Sequence, residues 1–238
     1  LVGFVPSEPE WKRQSRERAP DLSVPERWSA RRKPWPGSAT WRFLQNERAL
    51  PDTVLRAAVA QDVLREGPQG SMWAIHRDPS GAVTGWEERG PDWRGFATGG
   101  AKVLFRLGPA DGPRLCVAEA AIDAMSLAAL EEQRPDTLYL STGGGWSPAS
   151  SEALLDLAVR ADAVLVAATD NNTQGETFAE RLEALAADAG SGFVRLRPEL
   201  EDWNEDLKAR RRRKDGREEE RDGCRMPAVR LKGEAPPG

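Results

Sequence analysis

Apolar positions along the chain change their spacing from one stretch to the next. Residues 1–38 hold no steady period; Pro, Arg, Glu and Trp dominate, and the stretch reads as a polar linker or arm. From residue 39 a helical spacing sets in. Trp41 and Leu44 open it, and Val54, Leu55, Ala58, Val59 and Val63 continue it after Leu50-Pro51, with Asp52 as a helix cap. Over residues 70–107 the pattern shortens into strand-like runs. The runs 71–75 and 82–86 flank Asp78-Pro79-Ser80-Gly81, which predicts a hairpin, and 103–107 predicts a further strand.

Beyond residue 112 strands and helices alternate. Strands are predicted at 114–118, 137–140, 163–168 and 193–196. Between them Ile122, Met125, Ala129 and Leu130 mark one helix, Leu154, Leu155 and Ala158 a second, and Phe178, Leu182, Leu185 and Ala189 a third. Such alternation implies right-handed crossovers and a parallel sheet. The expected fold class is α/β: a parallel sheet flanked by helices over 111–207, preceded by a small α+β domain over 39–110. Residues 208–238 read as a charged tail, either a solvated helix or disordered.

Composition narrows the setting. Of 238 residues 39% are hydrophobic and 30% charged, so the core is confined to part of the chain. A net charge of −4 gives no global basic field. Two cysteines, one in an apolar strand, make neither a disulfide framework nor a zinc site, and suit a reducing cytoplasm. No apolar run approaches the roughly 20 residues of a membrane span, so no membrane partner is expected. The chain begins at Leu1, which leaves room for an upstream module.

The candidate chemistry sits at strand ends. The run 114–118 stops at Glu119, and the run 163–168 leads to Thr169-Asp170-Asn171-Asn172. In open α/β sheets ligands bind outside the carboxyl ends of strands, and two carboxylates delivered there suit a divalent cation. The competing readings are structural: an acidic residue in a helix's first turn for Glu119, and a capped turn for Asp170. Gly143, Gly144 and Gly145 follow the second strand and either approach a phosphate or form a plain turn. Downstream, Trp203 and Leu207 are expected to pack on the sheet while Asp202 and Asn204 face the cleft.

Taken together these stretches resemble a known family. Val117-Ala118-Glu119-Ala120-Ala121-Ile122-Asp123-Ala124 resembles the first motif of Toprim domains. Ala168-Thr169-Asp170-Asn171-Asn172-Thr173-Gln174-Gly175 resembles their Asp-x-Asp motif followed by glycine. Asp202-Trp203-Asn204-Glu205-Asp206-Leu207 is similar to the Asp-Trp-Asn-x-x-Leu ending of one Toprim branch, typical of plasmids and mobile elements. In that branch a small domain of unknown function comes first. Residues 41–105, with Glu87-Glu88-Arg89-Gly90-Pro91 and Gly99-Gly100-Ala101-Lys102, resemble it.

The resemblance implies a Toprim-like α/β sheet, a catalytic Glu, and Mg²⁺, or Mn²⁺ in its place, held by acidic residues. By position Glu119 and Asp170 become the catalytic pair and, with Asn172, the metal set. By placement alone, and not by the resemblance, Lys102 beside Gly99-Gly100, Arg89, Gly143, Gly144, Asp202 and Asn204 are the candidate phosphate or nucleic-acid contacts. Asn172 departs from the second Asp of the motif and Ala120 from the usual Gly. Losing that charge weakens attraction for Mg²⁺ near a partly buried site. The implied function is primase-like nucleotidyl transfer in replication or transfer of a mobile element, on nucleotides and single-stranded DNA, beside a helicase or relaxase. A catalytically weakened DNA-binding module and a Toprim nuclease are the alternatives.

Two basic stretches bear on nucleic acid. Arg31, Arg32 and Lys33 lie between Trp28 and Trp35, with Trp41 beyond, either as a stacking surface or as a basic linker. Arg210 to Lys214 either tracks a phosphate backbone or forms a solvated helix offset by the acids at 215–222. His76, the one histidine, reads as a surface or hairpin residue, while Trp73 and Trp86 read as packing.

Overall fold

The computed structural model describes residues 22–223, with side chains to residue 216. Residues 1–21 of the expected arm and 224–238 of the expected tail lie outside the described residues.

Four antiparallel strands form the first sheet: β1 (Leu64–Glu66), β2 (Met72–Arg77), β3 (Val83–Arg89) and β4 (Arg94–Phe96), in that order. The expected hairpin joins β2 to β3, and Asp78 Oδ1 accepts the Ala82 N–H at 2.9 Å to close its turn. Side-chain alternation then sorts the two faces. Ile75 stands opposite Trp86 and Trp73 opposite Glu88 on one face; Ala74 stands opposite Glu87 and Met72 opposite Arg89 on the other.

The tryptophan face is closed by the N-terminal helices α1 (Val24–Ser29) and α2 (Ala39–Arg42), the latter running into a π-helical turn, Phe43–Glu47. Trp86 stacks on Trp73 with ring centroids 4.1 Å apart, and Trp28 tilts onto Trp86 at 6.2 Å. The stretch expected as a linker is therefore ordered structure from Val24 onward. One buried Trp anchors a helix too short to establish a period. Its basic residues serve packing as well: Arg31 lies 4.8 Å over the Trp73 ring, and Lys33 pairs with Asp62 at 2.9 Å. Trp28 and Trp41 are buried, so neither offers a stacking surface; Trp35 stays 49% exposed.

After α3 (Asp52–Ala60) and the first sheet, five strands form the second: β5 (Phe105–Leu107), β6 (Arg114–Ala118), β7 (Thr137–Ser141), β8 (Val164–Ala167) and β9 (Gly192–Arg195). Their spatial order is β5-β7-β6-β8-β9, with β6 to β9 mutually parallel as expected. The strand at β5, which follows the hairpin in sequence, runs antiparallel along β7 and so belongs to the second sheet. An antiparallel edge on a parallel sheet is common and needs no crossover helix.

The crossovers are α4 (Ala121–Leu130), α5 (Pro148–Ala158) and α6 (Thr173–Ala189). Leu115, Val117, Leu138, Leu140 and Leu165 join the core under α5 and α6. Their alternates Cys116, Ala118, Tyr139 and Val166 join the core under α4, which is continuous with the core of the first sheet. From β6 the chain steps one way to β7 and the other way to β8, so strand order reverses at β6 and a crevice opens at its carboxyl end.

A last helix, α7 (Trp203–Gly223), packs on α4. Trp203 and Leu207 are buried as expected, and Trp203 Nε1 donates to the Ala168 carbonyl at 2.8 Å. The described part of the charged tail is thus helical. Arg210 donates to the Leu130 carbonyl at 3.0 Å and Arg211 to the Gln45 carbonyl at 2.6 Å, tying the helix to the body. No helix among the described residues is long and apolar enough to cross a membrane.

The tryptophan stack makes a direct stability test. Trp86→Ala is expected to lose ~3–5 kcal/mol in urea unfolding followed by circular dichroism. Trp35→Ala, at an exposed site, is expected to stay within ~0.5 kcal/mol of wild type.

Candidate functional site

The carboxyl ends of β6, β7 and β8 open into one cleft of about 650 Å³. Glu119 follows β6 directly, Gly143 and Gly144 follow β7, and Asp170 follows β8; all four line the cleft. The first two loops are joined, because the Gly144 N–H donates to the Glu119 carbonyl at 2.7 Å. Gly143 and Gly144 reach this geometry at φ of 70° and 67°, a backbone region that disfavours side chains.

The third loop is locked by its own turn. Asn172 caps α6, its Oδ1 accepting the Gly175 N–H at 2.9 Å, and Thr169 Oγ1 donates to the Gly175 carbonyl at 2.7 Å. Gly175 passes so close to Asp170 that a Cβ there would lie 1.9 Å from the Asp170 carbonyl oxygen. The glycine of the motif is therefore a packing requirement that holds Asp170 at the strand end.

Charge in the cleft is strongly one-sided along this edge. Burial pushes the Glu119 carboxyl above its usual range, against the opposing pull of the Asp170 backbone and Gln174; Gln174 Nε2 donates to Oε2 at 3.1 Å, and Oε1 is buried with no well-formed hydrogen bond. Burial, then the charges of Glu119, Asp202 and Glu201, push Asp170 up to about 7, and its Oδ1 is likewise buried without a partner. Asp123, one turn along α4, is buried and raised well above the carboxylate range by burial, then by Asp202 and Asp170. Arg195, the cation that counters Asp170, spends its guanidinium on Glu176 at 2.8 Å and on the carbonyls of Ala167, Thr169, Leu196 and Asp170.

The cleft's cations come from the first sheet and the loop after it, which also bring Glu87 to the lining. Arg89 and Arg94 stand directly opposite each other in the β3–β4 register, and both line the cleft. Like charges so placed repel, a cost that a bound anion would offset. Lys102 is the third cation, its Nζ donating to the Gly143 carbonyl at 2.7 Å.

Mg²⁺ usually takes one or two carboxylates and fills its other positions with water and phosphate oxygens. No group of three or more Asp, Glu, His or Cys side chains among the described residues forms a ready-made metal cage. Glu119 and Asp170, each with an unpartnered buried oxygen in an anionic pocket, fit the smaller requirement.

Among the residues singled out from sequence, Glu119, Asp170, Asn172, Lys102, Arg89, Gly143, Gly144 and Asp202 all line this cleft. Asp202 also caps α7, accepting the Glu205 N–H at 2.7 Å. Asn204 turns away from the cleft: it is buried, and its Nδ2 donates to the Arg48 carbonyl at 2.8 Å and to Ser126 Oγ at 2.9 Å. His76 is fully buried rather than on the surface, with Nε2 3.1 Å from Glu87 Oε1, because the second sheet covers that face of the hairpin. Sequence reasoning passed over Asp123, Glu201, Arg94 and Glu87 as cleft residues. Strand alternation was the available signal for Glu87, which shares a face with Arg89. Asp123 stands one helical turn after Glu119, a spacing that also carried a signal.

Residues 42–112 match the family described as Protein of unknown function (DUF3991), and residues 116–207 match the family described as Toprim-like. A search of curated proteins gives no match. Among solved structures the chain is similar to the primase fragment of the bacteriophage T7 primase-helicase protein, at 18% identity over 65% of this chain and 64% of that one, with a TM-score of 0.41. The chain thus spans just under two thirds of that relative's length. It is also similar to the RNA polymerase domain of Mycobacterium tuberculosis primase DnaG, at 13% identity over 76% of this chain and 74% of that one, with a TM-score of 0.44. A third similar chain comes from a bacteriophage T7 lagging-strand DNA polymerase structure that includes primase domains bound to an RNA/DNA hybrid and dTTP. The figures there are 19% identity, 72% and 87% coverage, and a TM-score of 0.47.

Acid clustering fixes the sign of a pH effect. The folded pKa of Asp170 lies above its unfolded value, so its contribution to stability is complete below about pH 4 and is lost as pH rises through about 7. Glu119 and Asp123 act in the same direction. With a chelator present, the urea midpoint is expected to fall between about pH 5 and about pH 8, and Asp170→Asn to remove much of that fall. Equal falls in wild type and variant would remove Asp170 as the source.

Proposed function

We propose that this chain, a Toprim-domain protein with a DUF3991 domain ahead of its Toprim core, carries out metal-dependent phosphoryl transfer on nucleic acid. Primase-like nucleotidyl transfer is the form we favour. The observation that carries the reading is the pair of unpartnered buried oxygens, Glu119 Oε1 and Asp170 Oδ1, on residues that line one cleft with Arg89, Arg94 and Lys102. Toprim domains generally hold Mg²⁺ through acidic residues.

Glu119 and Asp170 would hold Mg²⁺, or Mn²⁺ in its place. The bound ion would neutralise phosphate charge and orient the attacking and leaving oxygens. Glu119 Oε1 serves in one of two ways: as a ligand of the ion or, where the ion is held without it, as the atom that takes up and releases a proton. Arg89 and Arg94 suit charge-assisted hydrogen bonds to phosphate oxygens. Lys102 places a point charge beside the Gly143–Gly144 turn, where an incoming strand or nucleotide can approach the backbone. Single-stranded DNA and nucleotides are the proposed ligands, within replication or transfer of a plasmid or other mobile element, beside a helicase or relaxase.

One observation favours a second reading. Asn172 brings no charge to the site, and its amide oxygen is engaged in capping α6. A binding module with weakened chemistry follows if two carboxylates do not hold the ion tightly enough. A nuclease built on the same core is the third form.

Template-dependent incorporation with Mg²⁺ or Mn²⁺ separates these readings. Glu119→Gln is expected to lower kcat by about 100-fold or more, and Asn172→Asp to raise metal affinity. Full activity in Glu119→Gln would sink the assignment of that residue. Binding of single strands by wild type, without incorporation or cleavage, would select the binding module; metal-dependent cleavage would select the nuclease.

The cleft's cations have their own measurement, the salt dependence of single-strand binding. Arg94→Ala is expected to weaken binding at low salt and to reduce the slope of log K against log salt by about 0.7. An unchanged slope would remove Arg94 as a phosphate contact.

A further inference from the structure

Glu87 lies in β3 of the first sheet, yet two of its three partners belong to the second sheet and its crossover helix α4. Oε1 accepts from Ser141 Oγ, at the end of β7, and from His76 Nε2 at 3.1 Å. Oε2 accepts the N–H of Ala121, the first residue of α4, at 2.9 Å. The Val103 N–H donates to His76 Nδ1 at 3.2 Å, which leaves Nε2–H as the donor to Glu87. Burial works against ionisation of this carboxyl, but the hydrogen-bond and charge interactions with His76, then the hydrogen bonds from Ser141 and Ala121, outweigh it and hold its pKa below the usual range.

Each of those contacts adjoins a cleft group. Ala121 comes two residues after Glu119, and Ser141 two residues before Gly143. The His76 ring stands against the Gly143 backbone, where an added Cβ would lie 3.1 Å from Cε1. The two loops then close on each other through the Gly144 N–H and the Glu119 carbonyl at 2.7 Å. One carboxylate therefore grips both strand ends that present Glu119 and the glycine turn.

Simple adhesion between the sheets would not call for this group. A buried charge is a poor source of stability, and apolar residues of similar volume often serve as well or better. What a fully hydrogen-bonded carboxylate adds is direction, because its oxygens fix where three donors stand.

We propose that Glu87 is a positioning residue for the Toprim site, so that the DUF3991 domain sets the geometry in which Glu119 meets a divalent cation. The proposal rests on the metal reading of the site given above. Its signature is a loss of metal affinity together with a moved Gly144 amide in a folded protein, because Glu87 also lines the cleft and its lost charge alone would lower affinity.

The test uses the full chain, with Mn²⁺ affinity read by electron paramagnetic resonance and backbone positions read by amide NMR. Glu87→Gln is expected to weaken Mn²⁺ binding about tenfold and to shift the Ala121 and Gly144 amides. Ile75→Val, a core truncation on the opposite face of the same sheet, is expected to change neither. Ser141→Ala removes one donor only; it is expected to shift the same amides with a smaller loss of affinity, and it carries the test if Glu87→Gln fails to fold. Wild-type Mn²⁺ affinity in Glu87→Gln, or a Gly144 amide unmoved there, overturns the proposal. If wild type binds no Mn²⁺, the metal reading falls by itself and the Gly144 amide alone decides: moved, the positioning role stands; unmoved, it falls.

Discussion

Carboxylates taken out of water must find donors, find a cation, or take up a proton, and the molecule treats its buried acids in opposite ways. Glu87 has three hydrogen-bond partners, and its pKa is held below the usual range. Glu119 and Asp170, lining the same cleft, each keep an oxygen without a partner, and both titrate above their usual range. Of the three carboxylate oxygens buried without a partner among the described residues, those of Glu119 and Asp170 share this cleft, while that of Glu66 lies apart in β1. The fold supports the cleft from every side: Gly175 beneath Asp170, the Gly144 N–H on the Glu119 carbonyl, Arg195 threaded under the β8 loop.

The division of labour between the two sheets follows from the same constraint. The cleft's unpartnered acids come from the ends of β6 and β8, and its cations come from β3, β4 and the loop before β5. Neither set lines the cleft alone. The core beneath is continuous from the tryptophan stack of the first sheet to α4 of the second, so the walls are held by packing as well as by hydrogen bonds. Asn172 shows how one residue divides between roles. Its side chain does for α6 what an Asp would also do, cap a helix, but it adds no negative charge to a site that attracts its ion by charge.

Much of this was legible along the chain. Continuous apolar runs leading to Glu119 and Asp170 located both strand ends, and Gly143, Gly144, Asp202, Arg89 and Lys102 line the cleft. The departures share a cause. Trp28 anchors a helix of six residues, too short to show a period. Asn204 and Asp202 sit in one motif, yet helix geometry sends the first into the core and the second to the cleft. His76 lies in a hairpin whose second face is covered by a sheet formed later in the chain.

Local order along this protein, the strands, the crossovers and the acids at their ends, was set by the sequence itself, because side-chain alternation and turn chemistry act between near neighbours. Only the tertiary structure decided which acids would be satisfied. Two of the three donors to Glu87, Ser141 and Ala121, are more than thirty residues away, and no spacing in the chain records that meeting. Burial and partnering depend on what the whole fold brings against a side chain, and so does the charge that the site keeps.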